Sequence, residues 1–253
     1  NLIIIHTDEH NFRTLGCYRE QMSPDQAMVW GPDAKVETPN IDRIAHEGVI
    51  CTKYYASSPV STPSRASLQT GLYPQSTGAP KNGMHLKEDV MTFAKVLNEN
   101  GYSTSYVGKW HLDGDEKYQF NVKIAGGFTD HRYMMHGGHA KYILLKDGTS
   151  KGMGDREFNK LSPEDKKLTV NVTDYFTEKT LEILARDKNK PFCLMVSIPD
   201  PHTPDYARPP YNTMYENMKF QAPKTMDSKY TAIKPSWAVD APKVAKTENV
   251  KKG

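Results

Sequence analysis

The sequence predicts an α/β fold in which a mostly parallel central sheet is flanked by helices. Three short runs predict strands, at Leu2 to Ile5, Ser103 to Val107 and Pro191 to Ile198, and segments with helical spacing separate them. Polar residues follow each of these strands. Open α/β sheets bind their ligands at the carboxyl ends of the strands, so we expect the functional residues at that edge.

The first half of the chain alternates strand and helix signals. Leu2 to Ile5 is an unbroken apolar run, which predicts a strand buried on both faces. Thr38 to Gly48 predicts a helix with a polar cap and a glycine end, and Val49 to Tyr55 predicts a second strand. Ala66 to Thr70 predicts a short helix stopped by Gly71. Ser61 should therefore lie at or just before a helix N-terminus, which attracts anions.

The remaining elements are less regular. Val90 to Asn100 predicts a helix, and Thr169 to Arg186 predicts another. Residues 113–160 show no clear period and are interpreted as an excursion on the substrate side of the site. Residues 206–253 are rich in proline and lysine and predict a loop-rich tail. The sequence predicts that residues 1–253 belong to one domain.

Composition excludes several classes of protein. The 33 basic and 30 acidic residues give a formal net charge of +3, which argues against binding to nucleic acid or to a membrane surface. Three widely spaced cysteines form neither a disulfide framework nor a CxxC metal motif. The apolar runs fall far short of the ~20 residues that span a bilayer. Because the chain opens directly on a strand, we expect earlier residues, including any export signal, to be missing.

Charged and polar residues at the strand ends form a chemically coherent set. Two acids can hold a hard divalent cation, arginine and lysine can bind an oxyanion, and histidines can transfer protons. Such a set suits transfer or hydrolysis at a sulfuryl or phosphoryl centre. Its members are Asp8, Glu9, Ser61, Arg65, Lys109, His111 and His202.

Each of these residues also has an ordinary structural interpretation. An acid pair after a strand is often a helix cap, Arg65 could form a surface ion pair, and lone histidines are commonly core residues. His131, His136 and His139 raise the idea of a second metal site. Their spacing lacks acidic partners, so a substrate-contacting loop, or no function, is preferred.

Motifs in this sequence resemble those of one enzyme family. Ser61 to Gly71 reads STPSRASLQTG, which matches the sulfatase pattern of Cys or Ser, any residue, Pro-Ser-Arg, a small residue and a closing Thr-Gly. The chain resembles the N-terminal catalytic part of a formylglycine-dependent sulfatase. Further matching stretches, in family order, are Leu15 to Tyr18 after the acid pair, Thr38 to Arg43, Leu72 to Pro74, Gly108 to Leu112 and Pro201 to Pro204.

The resemblance implies an alkaline-phosphatase-like fold and a modified nucleophile. Ser61 would be oxidised to formylglycine, whose hydrate attacks sulfur and later expels sulfate. Asp8, Glu9 and the modified Ser61 would ligate Ca²⁺, with Mg²⁺ as the alternative. Arg65 would stabilise the modified side chain and Lys109 would bridge it to sulfate. By the same carry-over, His111 would be the base for elimination, and His202 would bind sulfate near the leaving oxygen.

The sequence departs from the family pattern in three ways. Many sulfatases have Asp-Asp where this chain has Asp8-Glu9. Ser61 replaces the commoner cysteine, which points either to a serine-type enzyme matured without oxygen in an anaerobic bacterium or to a deliberate Cys-to-Ser change. Family members are longer and supply further metal ligands and a second sulfate-binding lysine from a later strand. We therefore expect the C-terminal part to be absent and the site to be incomplete without it.

The leading functional hypothesis is hydrolysis of a sulfate ester, with a sulfated carbohydrate preferred over a small aryl sulfate. A phosphonate monoester or phosphodiester hydrolase of the same superfamily is the enzymatic alternative, and an inactive glycan-binding fragment is the non-enzymatic one. The expected partners are a sulfated small molecule or glycan and a formylglycine-generating enzyme, and the expected location is periplasmic or secreted.

Overall fold

A four-stranded parallel sheet is the centre of the larger of two compact units in this computed structural model, which describes residues 1–114 and 118–227. The larger unit comprises Asn1–Asn11 and Lys53–Met214, and the smaller one comprises Phe12–Thr52 and the segment that begins at Tyr215. The strands are β1 (Leu2–Thr7), β2 (Ser103–Lys109), β3 (Asp130–Met135), β4 (Tyr142–Lys146), β5 (Thr149–Met153), β6 (Thr169–Asn171) and β7 (Phe192–Ile198).

The strand order of the central sheet is β1-β7-β2-β3, and every neighbouring pair is parallel. Ile4 and Tyr106 both lie beside Met195 in this register. The carboxyl ends of β1, β2 and β7 therefore meet at one edge, as the sequence predicted. A second, antiparallel sheet has the order β5-β4-β6.

The helices are α1 (Gly16–Arg19), α2 (Pro24–Ala27), α3 (Pro39–Glu47), α4 (Ser61–Thr70), α5 (Phe93–Glu99), α6 (Asp155–Phe158), α7 (Pro163–Lys166) and α8 (Val172–Asp187). Local chemistry explains their ends. Gly71 takes the left-handed conformation, with φ of 70°, at the end of α4. The Thr92 side chain accepts the Lys95 N–H at the start of α5, and Asn171 caps α8 through its side-chain oxygen. Within the described ranges, no helix is both long and apolar enough to cross a membrane.

The central sheet is packed on both faces. Alternate residues of each strand point to opposite sides, so Tyr106 and Met195 join one core cluster, whereas Val107 and Leu194 join the other. Helix α8 contacts β2 and β7, and α5 contacts β2. These two layers hold the strand ends rigidly, which is what a site built on them requires.

The strand β1 differs from its prediction. Among the described residues it pairs only with β7, and it therefore forms an edge of the sheet. Leu2, Ile3 and Ile5 are 41%, 47% and 61% exposed. The expectation that Leu2 to Ile5 is buried on both faces is wrong for this structure. An apolar run shows that a strand can be buried, but it does not show that other elements pack on both of its faces.

Two further expectations are corrected, namely a strand at Val49 to Tyr55 and a helix that starts at Thr169. Val49 to Tyr55 forms no strand, because none of the described strands lies beside it; Val49, Tyr54 and Tyr55 are exposed. The predicted excursion at 113–160 contains β3, which extends the central sheet, and the β4–β5 hairpin. The predicted helix at Thr169 to Arg186 begins only at Val172, since its first three residues form β6. Of the predicted tail, residues 206–227 contain turns and a single 3-10 turn, and 228–253 lie outside the described residues.

In the smaller unit, the start of α1 is held by the side chains that begin α3. The Thr38 hydroxyl accepts the Gly16 N–H at 2.8 Å and donates to Asp42 at 3.0 Å. Asp42 also accepts the Cys17 N–H at 2.8 Å. Thr38 begins α3 as predicted, but its hydroxyl bonds other groups in place of the helix backbone.

Candidate active site

Four side chains converge where β1, β2 and α4 meet. Asp8 directly follows β1, Lys109 ends β2, and Ser61 and Arg65 lie four residues apart on one face of α4. The Lys109 Nζ contacts Asp8 Oδ2 and lies 3.3 Å from Ser61 Oγ. Arg65 Nη2 lies 3.4 Å from Asp8 Oδ1. We call these four residues the charged cluster.

The charged cluster is buried and carries a net positive charge. Asp8, Arg65 and Lys109 are 7%, 2% and 0% exposed, so one carboxylate faces two cations. Burial raises the pKa of Asp8, but Arg65 and Lys109 together lower it further than burial raises it. Burial and the Arg65 charge lower the pKa of Lys109. A buried site with one excess positive charge favours an anionic ligand.

Arg65 is oriented by groups on two strands. Its Nη1 donates to the Lys109 carbonyl at 2.9 Å and to Ser197 Oγ at 2.7 Å. Its Nε and Nη2 have no hydrogen-bond acceptor within the described part of the chain. Fixed on one side, the guanidinium retains donors for an oxyanion on the other.

Two glycines make room for this arrangement. A Cβ on Gly138 would overlap the side chain of Lys109, and a Cβ on Gly108, which has a φ of 101°, would overlap the Ser197 carbonyl. Neither Gly138 nor Ser197 was identified as a site residue from the sequence. The only signal was the histidine- and glycine-rich composition around Gly138.

His111 lies just beyond β2 in a left-handed backbone conformation, with a φ of 63°. Its carbonyl accepts the Thr62 hydroxyl at 3.0 Å, and its N–H donates to the His136 carbonyl at 2.8 Å. Burial, Lys109 and Arg65 lower the pKa of the ring to about 4. The imidazole is therefore neutral near pH 7.

His202 lies in the turn after β7 and contacts two other predicted or candidate residues. Its Nε2 lies 3.2 Å from Glu9 Oε1, and its ring stacks on that of His139 with centroids 4.1 Å apart. Glu9 has a φ of 57° and a side chain that is 59% exposed. We call the pair of His139 and His202 the histidine stack.

The predicted metal ligands do not converge as a set. The Asp8 carboxylate is occupied by Lys109 and Arg65, and the Glu9 carboxylate contacts His202. Across residues 1–114 and 118–227, no three His, Cys, Asp or Glu side chains form a group that could hold a metal. The described residues do not by themselves fit a divalent cation. Metal binding by Asp8, Glu9 and Ser61 stays a prediction.

The histidine-rich segment separates into three environments. The His131 ring nitrogen lies 3.1 Å from the Phe128 carbonyl, and buried His136 lies 3.6 Å from Asp113. His139 instead joins the histidine stack. The segment therefore forms no metal cluster within the described residues, and substrate contact by its residues stays a prediction.

The chain matches the family model described as Sulfatase over residues 1–236. It belongs to the sulfatase family. An N-acetylglucosamine-6-O-sulfatase of Bacteroides thetaiotaomicron is 31% identical over 91% of this sulfatase chain and 36% of its own length. An ulvan-active sulfatase of Formosa agariphila is also 31% identical, over 85% of this chain and 38% of its own length. The chain thus spans little more than a third of these relatives.

Solved structures confirm the alkaline-phosphatase-like sulfatase fold. A protein in complex with its substrate D-glucosamine-2-N,6-O-disulfate is 29% identical, with a TM-score of 0.63 over 89% of this sulfatase chain and 39% of that chain. The phosphonate monoester hydrolase of Agrobacterium radiobacter has a TM-score of 0.54 over 85% of this chain and 43% of that one. At 21% identity, that second likeness shows the fold alone.

Proposed function

We propose that the protein containing this chain hydrolyses sulfate esters, with Ser61 as the precursor of a formylglycine nucleophile. The position of Ser61 is the observation that carries the proposal. It begins the ten-residue helix α4, with its Oγ 3.3 Å from Lys109 Nζ and the buried Arg65 one turn further along. The helix N-terminus and two cations favour a tetrahedral anion at this position, in a chain of the sulfatase family.

The residues around Ser61 have complementary tasks. Arg65 and Lys109 neutralise the oxygens of the sulfuryl group as charge develops on them. His111, neutral at pH 7, accepts a proton during release of sulfate, and His202 contacts sulfate near the leaving oxygen. The hydrated aldehyde would supply two hydroxyls, one to displace the alcohol and one whose deprotonation expels sulfate.

A divalent cation is also expected of the family, as Ca²⁺ or Mg²⁺. Asp8, Glu9 and modified Ser61 are the ligands proposed in this chain, and the other ligands would have to lie outside the described residues. In this structure the Asp8 carboxylate contacts Lys109 and Arg65.

A sulfated carbohydrate is the substrate class that we propose. One relative is named an N-acetylglucosamine-6-O-sulfatase and another an ulvan-active sulfatase, and a structural relative was solved with D-glucosamine-2-N,6-O-disulfate. A formylglycine-generating enzyme would mature Ser61, and a periplasmic or secreted location is proposed for the protein.

Mass spectrometry of the peptide from Ser57 to Arg65, on protein from its native host, tests the nucleophile. We expect the ~2 Da loss that converts serine to formylglycine. Release of inorganic sulfate from sulfated glucosamine tests the reaction. Unmodified Ser61 would overturn the aldehyde nucleophile. Cleavage of a phosphonate monoester to its phosphonate and alcohol, without sulfate release from sulfated glucosamine, would favour the alternative hydrolase. Glycan binding without turnover would favour an inactive binding protein.

A further inference from the structure

Lys141 is a buried lysine that the proposed reaction does not use. It immediately precedes β4 and is 1% exposed. Lysine is almost never fully buried unless its ammonium group is paired, because removal of the charge from water is costly. Its partners therefore indicate what this lysine stabilises.

The Lys141 ammonium binds the turn that carries His202. Its Nζ donates to Asp200 Oδ1 at 2.6 Å and to the His202 carbonyl at 2.8 Å. Asp200 Oδ2 accepts the Thr173 hydroxyl at 2.6 Å, so both oxygens of the carboxylate are bonded. The Asp200 carbonyl in turn accepts the Asp8 N–H at 3.3 Å. The same network thus reaches the charged cluster.

The backbone of Lys141 is fixed at both of its polar atoms. Its N–H donates to the Met153 carbonyl at 3.0 Å, and its carbonyl accepts the Val172 N–H at 3.0 Å. One bond ties it to β5 and the other to the start of α8. The backbone that carries the ammonium group is therefore held in place, as a residue that positions another residue requires.

We infer that Lys141 is a positioning residue for His202. The same short segment holds His202 twice, since the ammonium of Lys141 binds its carbonyl while the ring of His139 stacks on its imidazole. A buried ion pair alone would be weak support for a function, because apolar residues can replace such pairs without loss of stability. The direct bond to the His202 carbonyl is what links this pair to the site. The inference rests on the proposed function of His202.

The test is a double-mutant cycle in the matured protein from its native host, assayed for sulfate release from sulfated glucosamine. Lys141→Met should lower kcat about 10- to 100-fold. In a His202→Ala background it should cause little further loss, because the residue through which Lys141 acts is already gone. Lys141→Arg, which keeps the charge and donors, should recover part of the activity.

Lys146→Met is the matched control. Lys146 lies on β4 and pairs with Asp165 at 2.9 Å, but its side chain is 46% exposed. We therefore expect the kcat of Lys146→Met to stay within about twofold of that of the matured protein without substitutions. If Lys141→Met does not fold, Lys141→Met/Asp200→Asn, which removes both charges of the pair, replaces it in the cycle.

Two results overturn the inference. One is a folded Lys141→Met protein with unchanged kcat, and the other is an equal, additive loss in the His202→Ala background. If the matured protein without substitutions releases no sulfate, the proposed function fails. Crystal structures of the variants then test the positioning role without an activity assay. His202 should move in Lys141→Met and stay in place in Lys146→Met, and an unmoved His202 would reject the positioning role.

Discussion

The charged cluster and the histidine stack are built differently. Asp8, Ser61 and Lys109 lie at the ends of regular elements, and Arg65 lies one turn into α4. Asp8, Arg65 and Lys109 are almost fully buried. His202 lies in a turn, and the Glu9 side chain that it contacts is 59% exposed.

The difference concerns how position is enforced. Strand register and helix spacing place the charged cluster, so its geometry follows from backbone hydrogen bonds. The histidine stack depends on side-chain contacts between segments distant in sequence, in particular the bonds from Lys141 to the turn after β7. Substitution of a residue of the charged cluster should therefore abolish sulfate release or greatly lower the free energy of unfolding. Loss of a contact to the histidine stack should only reduce the rate of sulfate release.

Ser61→Ala should have the largest effect. It removes the precursor of the nucleophile, and we expect sulfate release to fall on the order of 10⁴-fold or more, to background. Ser67→Ala on the same helix should retain activity. The measurement is sulfate release by matured proteins with equal melting temperatures. If Ser61→Ala released sulfate faster than His202→Ala, the charged cluster would be less important for activity than the histidine stack, contrary to this prediction.

Asp8→Asn tests the charge balance of the cluster. It leaves Arg65 and Lys109 buried without a counter-charge, and we expect the free energy of unfolding to fall by about 3–5 kcal/mol. Asp25→Asn is the control, because Asp25 is 83% exposed in its pair with Lys224 and should contribute less than about 0.5 kcal/mol. Urea denaturation in the presence of a chelator measures both. Equal losses would show that the cluster is not electrostatically coupled.

Gly138→Ala tests how closely Lys109 must be held. The new Cβ would overlap the Lys109 side chain, whose far end is flexible and can move away from Ser61. We expect sulfate release to fall about 10- to 100-fold, with a small change in melting temperature. Gly154→Ala, whose Cβ would meet only ordinary contacts, should be near neutral. Full activity in Gly138→Ala would mean that Lys109 tolerates displacement.

The pH dependence of stability should give the smallest effect. Burial lowers the pKa of His111 and of His139 to about 4, with contributions from Lys109 and Arg65 at His111 and from His202 at His139. The unfolded rings bind protons near pH 6.5, so between about 6.5 and 4 the unfolded state binds more protons. The free energy of unfolding should therefore decrease as pH falls through this window.

Urea denaturation at about pH 7 and pH 5 measures this effect. Between about pH 7 and pH 5, the free energy of unfolding of His111→Gln/His139→Gln should decrease less than that of the protein without substitutions. The difference should be about 1 kcal/mol after allowance for partial exposure of the rings. His46→Gln should not reduce the loss, because a bond to Glu20 raises the pKa of His46. Identical pH slopes in all three proteins would contradict the lowered pKa values of the two rings.

The sequence was sufficient where local pattern and backbone geometry agree. The apolar run at β7 predicted a buried strand, Ser103 to Val107 predicted the strand β2, and Gly71 predicted the end of α4. The polar residues after the strands predicted the edge at which the site forms. The short motif around Ser61 was specific enough to indicate the sulfatase family, which the family model and the relatives then showed.

Only the tertiary structure decided which partners these residues have. An apolar run such as Ile3 to Ile5 is compatible with either a covered or an open position, and the order of the strands made β1 an edge. The roles of Gly138, Ser197 and Lys141 depend on contacts between segments far apart in the chain. Periodicity and motif spacing carry information about nearby residues, whereas the space beside Lys109 and the bond to the His202 carbonyl exist only once distant segments pack together.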